Sequence, residues 1–119
     1  MAETIKTIID WHAKTFPDAT LEGQIEKFYE ELDEYNEAVN MQELADMFIV
    51  ACGIARFDSM VALEYFTVVF KALLDWKTFG CRTLLQEVVD KKMEKNRKRM
   101  WAKTGAGTYH HTNKEENDA

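Results

Sequence analysis

The 119-residue chain is 46% hydrophobic and 30% charged, a balance that gives one domain with a real core and excludes a disordered polymer. Its net charge of −6 excludes a broad duplex nucleic-acid surface, which needs Lys and Arg on phosphates. A small phosphate ester stays open as a ligand, because a bound cation reverses the local sign of a site.

Helical periodicity dominates from the start. A first helix is expected over about 3–14, with Ile5, Ile8 or Ile9, and Trp11 or His12 recurring on one side, and Phe16-Pro17-Asp18 ending it. Thr20 is the N-cap expected for a second helix, whose apolar stripe is Leu21, Ile25, Phe28, Leu32, Tyr35 and Val39. Asn40 with Glu43 three residues later is a capping-box pattern opening a third helix to about Arg56. Asp58-Ser59 caps a fourth, apolar helix to about Thr78, Gly80 breaks the pattern, and a fifth runs from near Arg82 to about Trp101. The expected fold is all-α, a bundle of about five helices over 1–103, with 104–119 as a flexible C-terminal tail. In that tail, the stretch Gly107 to His111 reads either as a lid or as an unstructured end.

Cys52 and Cys81 have no CxxC spacing and no histidine to complete a zinc site, so they read as thiols of a reducing compartment. The opening residues lack the apolar run of a signal peptide, and Glu64 and Lys71 interrupt the most apolar stretch. The expectation is a cytoplasmic protein with no membrane partner.

Chemistry concentrates in two acidic strings, Glu30-Glu31-Leu32-Asp33-Glu34 and Glu43-Leu44-Ala45-Asp46. Acids three apart share a helical face, and two helices joined by a short turn lie antiparallel, so Glu31 and Glu34 are expected to face Glu43 and Asp46. Glu30, Asp33 and Glu37 read as a solvated face, and Glu43 also has a capping role open to it. Asp46 is the sole charged residue between Leu44 and Ala55, so it is expected to be buried, with no Lys or Arg within one turn of its own helix to pair with it. Clustered carboxylates repel unless a divalent cation sits among them, and Mg²⁺ takes oxygen ligands. Iron is disfavoured, since none of His12, His110 and His111 follows a Glu at Glu-x-x-His spacing.

On the fifth helix Lys92, Asn96 and Arg99 share one face, a grip suited to an oligophosphate as well as to the helix C-terminal dipole. Arg97 and Lys98 point elsewhere. The absence of GxxxxGK[ST] excludes a P-loop.

With these residues the chain resembles the MazG-like family of all-α nucleoside triphosphate pyrophosphohydrolases. The family's EExxE and ExxD are matched by Glu30, Glu31 and Glu34, then Glu43 and Asp46, and a KMxxNRxRxW-like element by 92–101. The segment from Trp11 through Phe16-Pro17 to Thr20 is similar to the family's opening region. Only eight residues separate Glu34 from Glu43, a shorter spacing than the family's, so the chain must turn tightly around Val39-Asn40.

The resemblance implies hydrolysis of a nucleoside triphosphate, often a deoxynucleotide, to the monophosphate and pyrophosphate. Glu31, Glu34, Glu43 and Asp46 are then Mg²⁺ ligands, with Mn²⁺ a substitute. Glu30 and Glu31 act at the attacking water. Lys92, Asn96 and Arg99 hold the phosphates, Lys27 joins the substrate-binding set, and Trp11 and Phe16 line either a base pocket or the core. The alternatives are a phosphoribosyl-nucleotide pyrophosphatase and a non-catalytic helical module binding nucleotide or protein. The fourth helix carries more apolar surface (Val61, Leu63, Tyr65, Phe66, Val69, Phe70, Leu73, Trp76) than one monomer covers, so a homodimer or higher homo-oligomer is expected.

Overall fold

A computed structural model describes residues 2–76, 80–105 and 108–111. Five helices make up its body: α1 (Ile5–Thr15), α2 (Leu21–Glu37), α3 (Met41–Phe57), α4 (Ser59–Asp75) and α5 (Cys81–Lys98). Each of the first four starts on a side chain that accepts a hydrogen bond from an otherwise unpaired backbone N–H: Thr4, Thr20, Asn40 and Asp58. At the start of α5, Gly80 takes that position with φ of 84°, a left-handed conformation that suits a residue without Cβ.

α3 is the central element, packing against α1, α2, α4 and α5. Its sequence explains this: Leu44, Ala45, Met47, Ala51, Cys52 and Ile54 are all fully buried, so the helix is apolar on nearly every side. Ile8 of α1, Phe28 of α2, Val69 of α4 and Met93 of α5 complete the core around it. Arg97 closes the far edge, its guanidinium 2.8 Å from Glu3 Oε1, and ties the end of α5 to the start of α1.

Several boundaries differ from the sequence reading. α5 stops at Lys98, where Arg99 turns to extended backbone, because the chain enters a hairpin rather than continuing to Trp101. β1 (Trp101–Gly105) pairs antiparallel with β2 (Thr108–His111), with an irregular register between Lys103 and Gly105. Part of the expected flexible tail is therefore paired strand, and the expected break after residue 103 falls inside β1. Thr78, Gly107 and residues 112–119 lie outside the described residues. Val39 leaves the apolar stripe: α2 has already ended, and the side chain is 63% exposed. Among the described residues no helix is long and apolar enough to cross a membrane. Cys52 is a buried free thiol and Cys81 a half-buried one.

Candidate metal and nucleotide site

The short 38–40 turn does form, between the end of α2 at Glu37 and the Asn40 cap of α3. It lays the two helices antiparallel along an extensive interface. Three residues back from Glu34 on α2 is Glu31; three residues forward from Glu43 on α3 is Asp46. One oxygen from each of Glu31, Glu43 and Asp46 falls within 4.8 Å of the other two. Asn40 accepts from the Glu43 N–H at 2.9 Å. Among the described residues the reciprocal bond from the Asn40 N–H to the Glu43 carboxylate is not formed, and that carboxylate belongs to the acid cluster instead.

Crowding and burial disfavour the charged forms of these acids. Burial, then the Asp46 charge, pushes the Glu31 carboxyl up to about 8, although Lys27 opposes the shift. Burial, then Asp46 and Glu34, raises Glu43 as well. Burial also raises Asp46, against the pull of Lys92. Glu31 Oε2 and Glu43 Oε2 are buried with no hydrogen-bond partner among the described residues. Such orphaned acceptors cost free energy in a folded chain, and a divalent cation is the ligand that repays two of them at once.

Two lysines partly offset the charge. Lys92 Nζ donates to Asp46 Oδ2 at 3.1 Å, and Lys27 Nζ sits 3.5 Å from Glu31 Oε1. The sequence puts no Lys or Arg within one turn of Asp46 on its own helix, and the cation that pairs with it comes from α5. Asp46 is also less buried than expected, with its side chain 27% exposed.

Asp46, Glu31, Lys27 and Lys92 line a cavity of about 390 Å³, within the size range of small-molecule sites. Asn96 and Arg99 lie beside Lys92 in its wall, and Arg99 Nη1 donates to Asn96 Oδ1 at 3.1 Å. The same cavity has an aromatic wall. Trp11, Phe16 and Trp101 meet edge to face with ring centroids 5.0–6.2 Å apart, and Ile49 and Val50 complete the apolar wall.

Of the residues singled out in the sequence, Trp11, Phe16, Lys27, Glu31, Glu34, Asp46, Lys92, Asn96 and Arg99 all reach this cavity. Glu43 joins the acid cluster without lining the cavity. Glu34 is exposed at the mouth and stands outside the close triad. Glu30 is not brought in: its carboxylate is 59% exposed and 3.6 Å from Lys27, on the solvent side of α2. Trp11 and Phe16 are both core and cavity wall, so the two readings of them do not exclude each other.

Sequence reasoning missed His12 and Gln24 as cavity residues. Both are buried polar side chains, at 4% and 7% exposure. Arg56 Nη1 donates to His12 Nδ1 at 3.1 Å and to the Phe16 carbonyl at 2.8 Å, while Gln24 hydrogen-bonds the same imidazole. Burial, first, then the Arg56 charge, lowers His12 to about 4, against the opposing bond to Gln24. The signal was present: Gln24, Lys27, Glu31 and Glu34 are spaced three, four and three apart, a polar stripe beside the apolar one.

Comparison with protein-family models, with curated proteins and with solved structures finds no match for this chain.

Proposed function

We propose that the protein is a Mg²⁺-dependent pyrophosphohydrolase converting a nucleoside or deoxynucleoside triphosphate to its monophosphate and pyrophosphate. The observation that carries this reading is the acid triad with its two orphaned buried oxygens, beside a cavity that also has an aromatic wall. A flat apolar ring suits the second, and a phosphate chain with its counter-cation suits the first. The likeness of the acidic strings and of the α5 element to MazG-like enzymes points the same way.

Glu31, Glu43 and Asp46, with Glu34 at the mouth, are the residues that would hold the cation. When bound, Mg²⁺ supplies charge neutralisation to the phosphates and an acidified water for attack at the α-phosphorus. The chain's own groups do the rest. Arg99, oriented by Asn96, offers a planar donor to phosphate oxygens, and Lys92 adds a point charge beside Asp46. Trp11, Phe16 and Trp101 hold a base and keep water from that wall of the cavity. The MazG-like pattern would place Glu31 beside the attacking water as well as on the cation, its carboxylate orienting that water. Glu30 has no part, being in solvent.

The decisive experiment is pyrophosphate release from a panel of nucleoside triphosphates with Mg²⁺ added and then removed by chelator. Metal-dependent release supports the reading; inertness toward every nucleotide overturns it. Including a phosphoribosyl-nucleotide in the panel separates the related pyrophosphatase activity.

We also propose a homo-oligomer built on α4. Phe66, Val69 and Leu73 belong to the monomer's own core, but Met60, Leu63, Phe70 and Leu74 are 44–77% exposed along the outer face of the same helix. Water-facing apolar rows of this kind are covered by a partner, and a second copy is the partner always present.

A further inference from the structure

Beside Trp11 and Phe16 of the cavity wall, Arg56, His12 and Gln24 form a polar chain. A guanidinium has donors only, so the 3.1 Å contact from Arg56 Nη1 makes His12 Nδ1 an acceptor. A neutral imidazole with an accepting Nδ1 carries its proton on Nε2. Gln24 Oε1 and His12 Nε2 converge on one point beside Gly53, and Gln24 raises His12 as an acceptor of that proton does, so the carbonyl Oε1 faces the imidazole. Gly53 shows the same arrangement from the α3 side: a Cβ built there would stand 2.7 Å from Gln24 Oε1 and 2.9 Å from His12 Nε2. With its oxygen engaged by His12, the amide NH₂ is the group Gln24 has left to offer the cavity it lines. Gln24 precedes Glu31 by two helical turns, about 10 Å of rise, comparable to the span from a base edge to the α-phosphorus of a nucleotide.

We propose that Gln24, locked by the Arg56–His12 pair, is a specificity-determining residue that selects bases carrying a keto oxygen over bases carrying an exocyclic amino group. This rests on the nucleotide reading above and deepens it. A free glutamine turns over to accept from an amino group or to donate to a keto group. Here, turning over sets two donors, Gln24 NH₂ and His12 Nε2–H, against each other. A keto oxygen takes the NH₂ bond, whereas an amino group leaves both donors unsatisfied in a buried place.

The test compares nucleotides that differ on that base edge: deoxyuridine with deoxycytidine triphosphate, and inosine with adenosine triphosphate. The keto member of each pair is expected to have the higher kcat/KM, by roughly tenfold to a hundredfold, the factor set by one buried unmade hydrogen bond. Gln24→Glu, an acceptor facing the cavity, reverses the order. Arg56→Met frees the imidazole to exchange tautomers and brings the ratio toward one, and Arg56→Lys restores part of it. A purely structural role for Arg56 lowers both members of a pair alike and leaves the ratio untouched, which overturns the proposal, as does equal or amino-favouring turnover by the unaltered protein.

If no triphosphate is cleaved, the hydrolase reading fails, yet base selection is still read by quenching of tryptophan fluorescence with uridine and cytidine monophosphates. Tighter binding of the uridine compound then supports the proposal; equal affinity, or no binding of either, overturns it.

Discussion

Lys92 Nζ lies 3.1 Å from Asp46 Oδ2, so α5 sets a cation against the acid cluster that α2 and α3 bring together. Both side chains are less than a third exposed, which makes the pair more than a surface ornament. Lys92→Met leaves Asp46 facing Glu31 and Glu43 without its nearest cation. Without Mg²⁺ the variant is expected to lose ~1 kcal/mol of stability, lowering the melting temperature by about 4 °C. Added Mg²⁺ should recover more of that loss than it adds to the unaltered protein. Thermal melts with and without metal measure both, and an unchanged metal response means that no cation binds among these acids.

Glu31 lowers the stability of the metal-free protein as pH rises from about 4.5 to about 8. Its folded pKa is raised to about 8 from an ordinary value of 4.5, so the folded state binds the extra proton and stability falls with rising pH. The contribution is complete below about 4.5 and gone above about 8. Glu31→Gln is expected to flatten the fall between pH 6.5 and 8 while abolishing both Mg²⁺ stabilisation and turnover. Asp46→Asn should share the last two effects with helical content intact. Circular dichroism melts across pH, with and without magnesium chloride, check all of this.

His12 acts in the opposite sense and a lower window. It is held near 4 against an ordinary 6.5, so the unfolded chain takes up the proton first and stability is lost as pH falls from about 6.5 toward 4. His12→Asn should remove that acid-side loss while weakening the protein near neutrality, because Arg56 and Gln24 lose their shared partner. Denaturant titrations of both proteins at pH 4.5 and 7 separate the effects.

Much of this was legible beforehand because it depended on local chemistry. The Thr20 and Asn40 caps and the spacing of Glu31, Glu34, Glu43 and Asp46 fix where α2 and α3 begin and which face bears acid. The tight turn at 38–40 then brings the acids together with no long-range information. What escaped was contact across helices far apart in the chain. Nothing near Asp46 in sequence announces Lys92, forty-six residues away, and nothing near His12 announces Arg56. Glu30 misled for the converse reason: it stands in the acidic string, but one residue of helical rotation, about 100°, swings it from Glu31's face into water. The hairpin after α5 escaped because its residues carry no alternating apolar pattern.

Gly53 offers a test in which two physical effects predict opposite signs. Alanine is the better helix former by ~1 kcal/mol, so on propensity alone Gly53→Ala stabilises α3. In the structure its methyl would stand 2.7 Å from Gln24 Oε1 and 2.9 Å from His12 Nε2, closer than real carbon contacts allow. Both neighbours are buried and hydrogen-bonded, so neither yields freely. The expected outcome is a net loss of ~1–3 kcal/mol by chemical denaturation. A gain in stability would mean that α1 and α2 do not approach α3 this closely.

The outer face of α4 sets the last prediction. Phe70 stacks near-parallel on Phe66 at 6.1 Å, yet remains 44% exposed, and Leu63 lies two turns earlier on the same face at 56%. Leu63→Glu changes a mostly exposed side chain, and Phe70→Glu gives up only the ring contacts with Phe66 and Phe48 at the edge of the core, so the monomer fold should survive with a modest loss of stability. A charge there is costly only where that face is buried against another chain. Sedimentation of the unaltered protein should give an oligomer, and Leu63→Glu combined with Phe70→Glu should give a monomer of unchanged helical content. If the unaltered chain sediments as a monomer at every concentration, the apolar row faces water and the oligomer proposal fails, while the cavity, walled by α1, α2, α3, α5 and Trp101, keeps its geometry and is tested separately by its nucleotides.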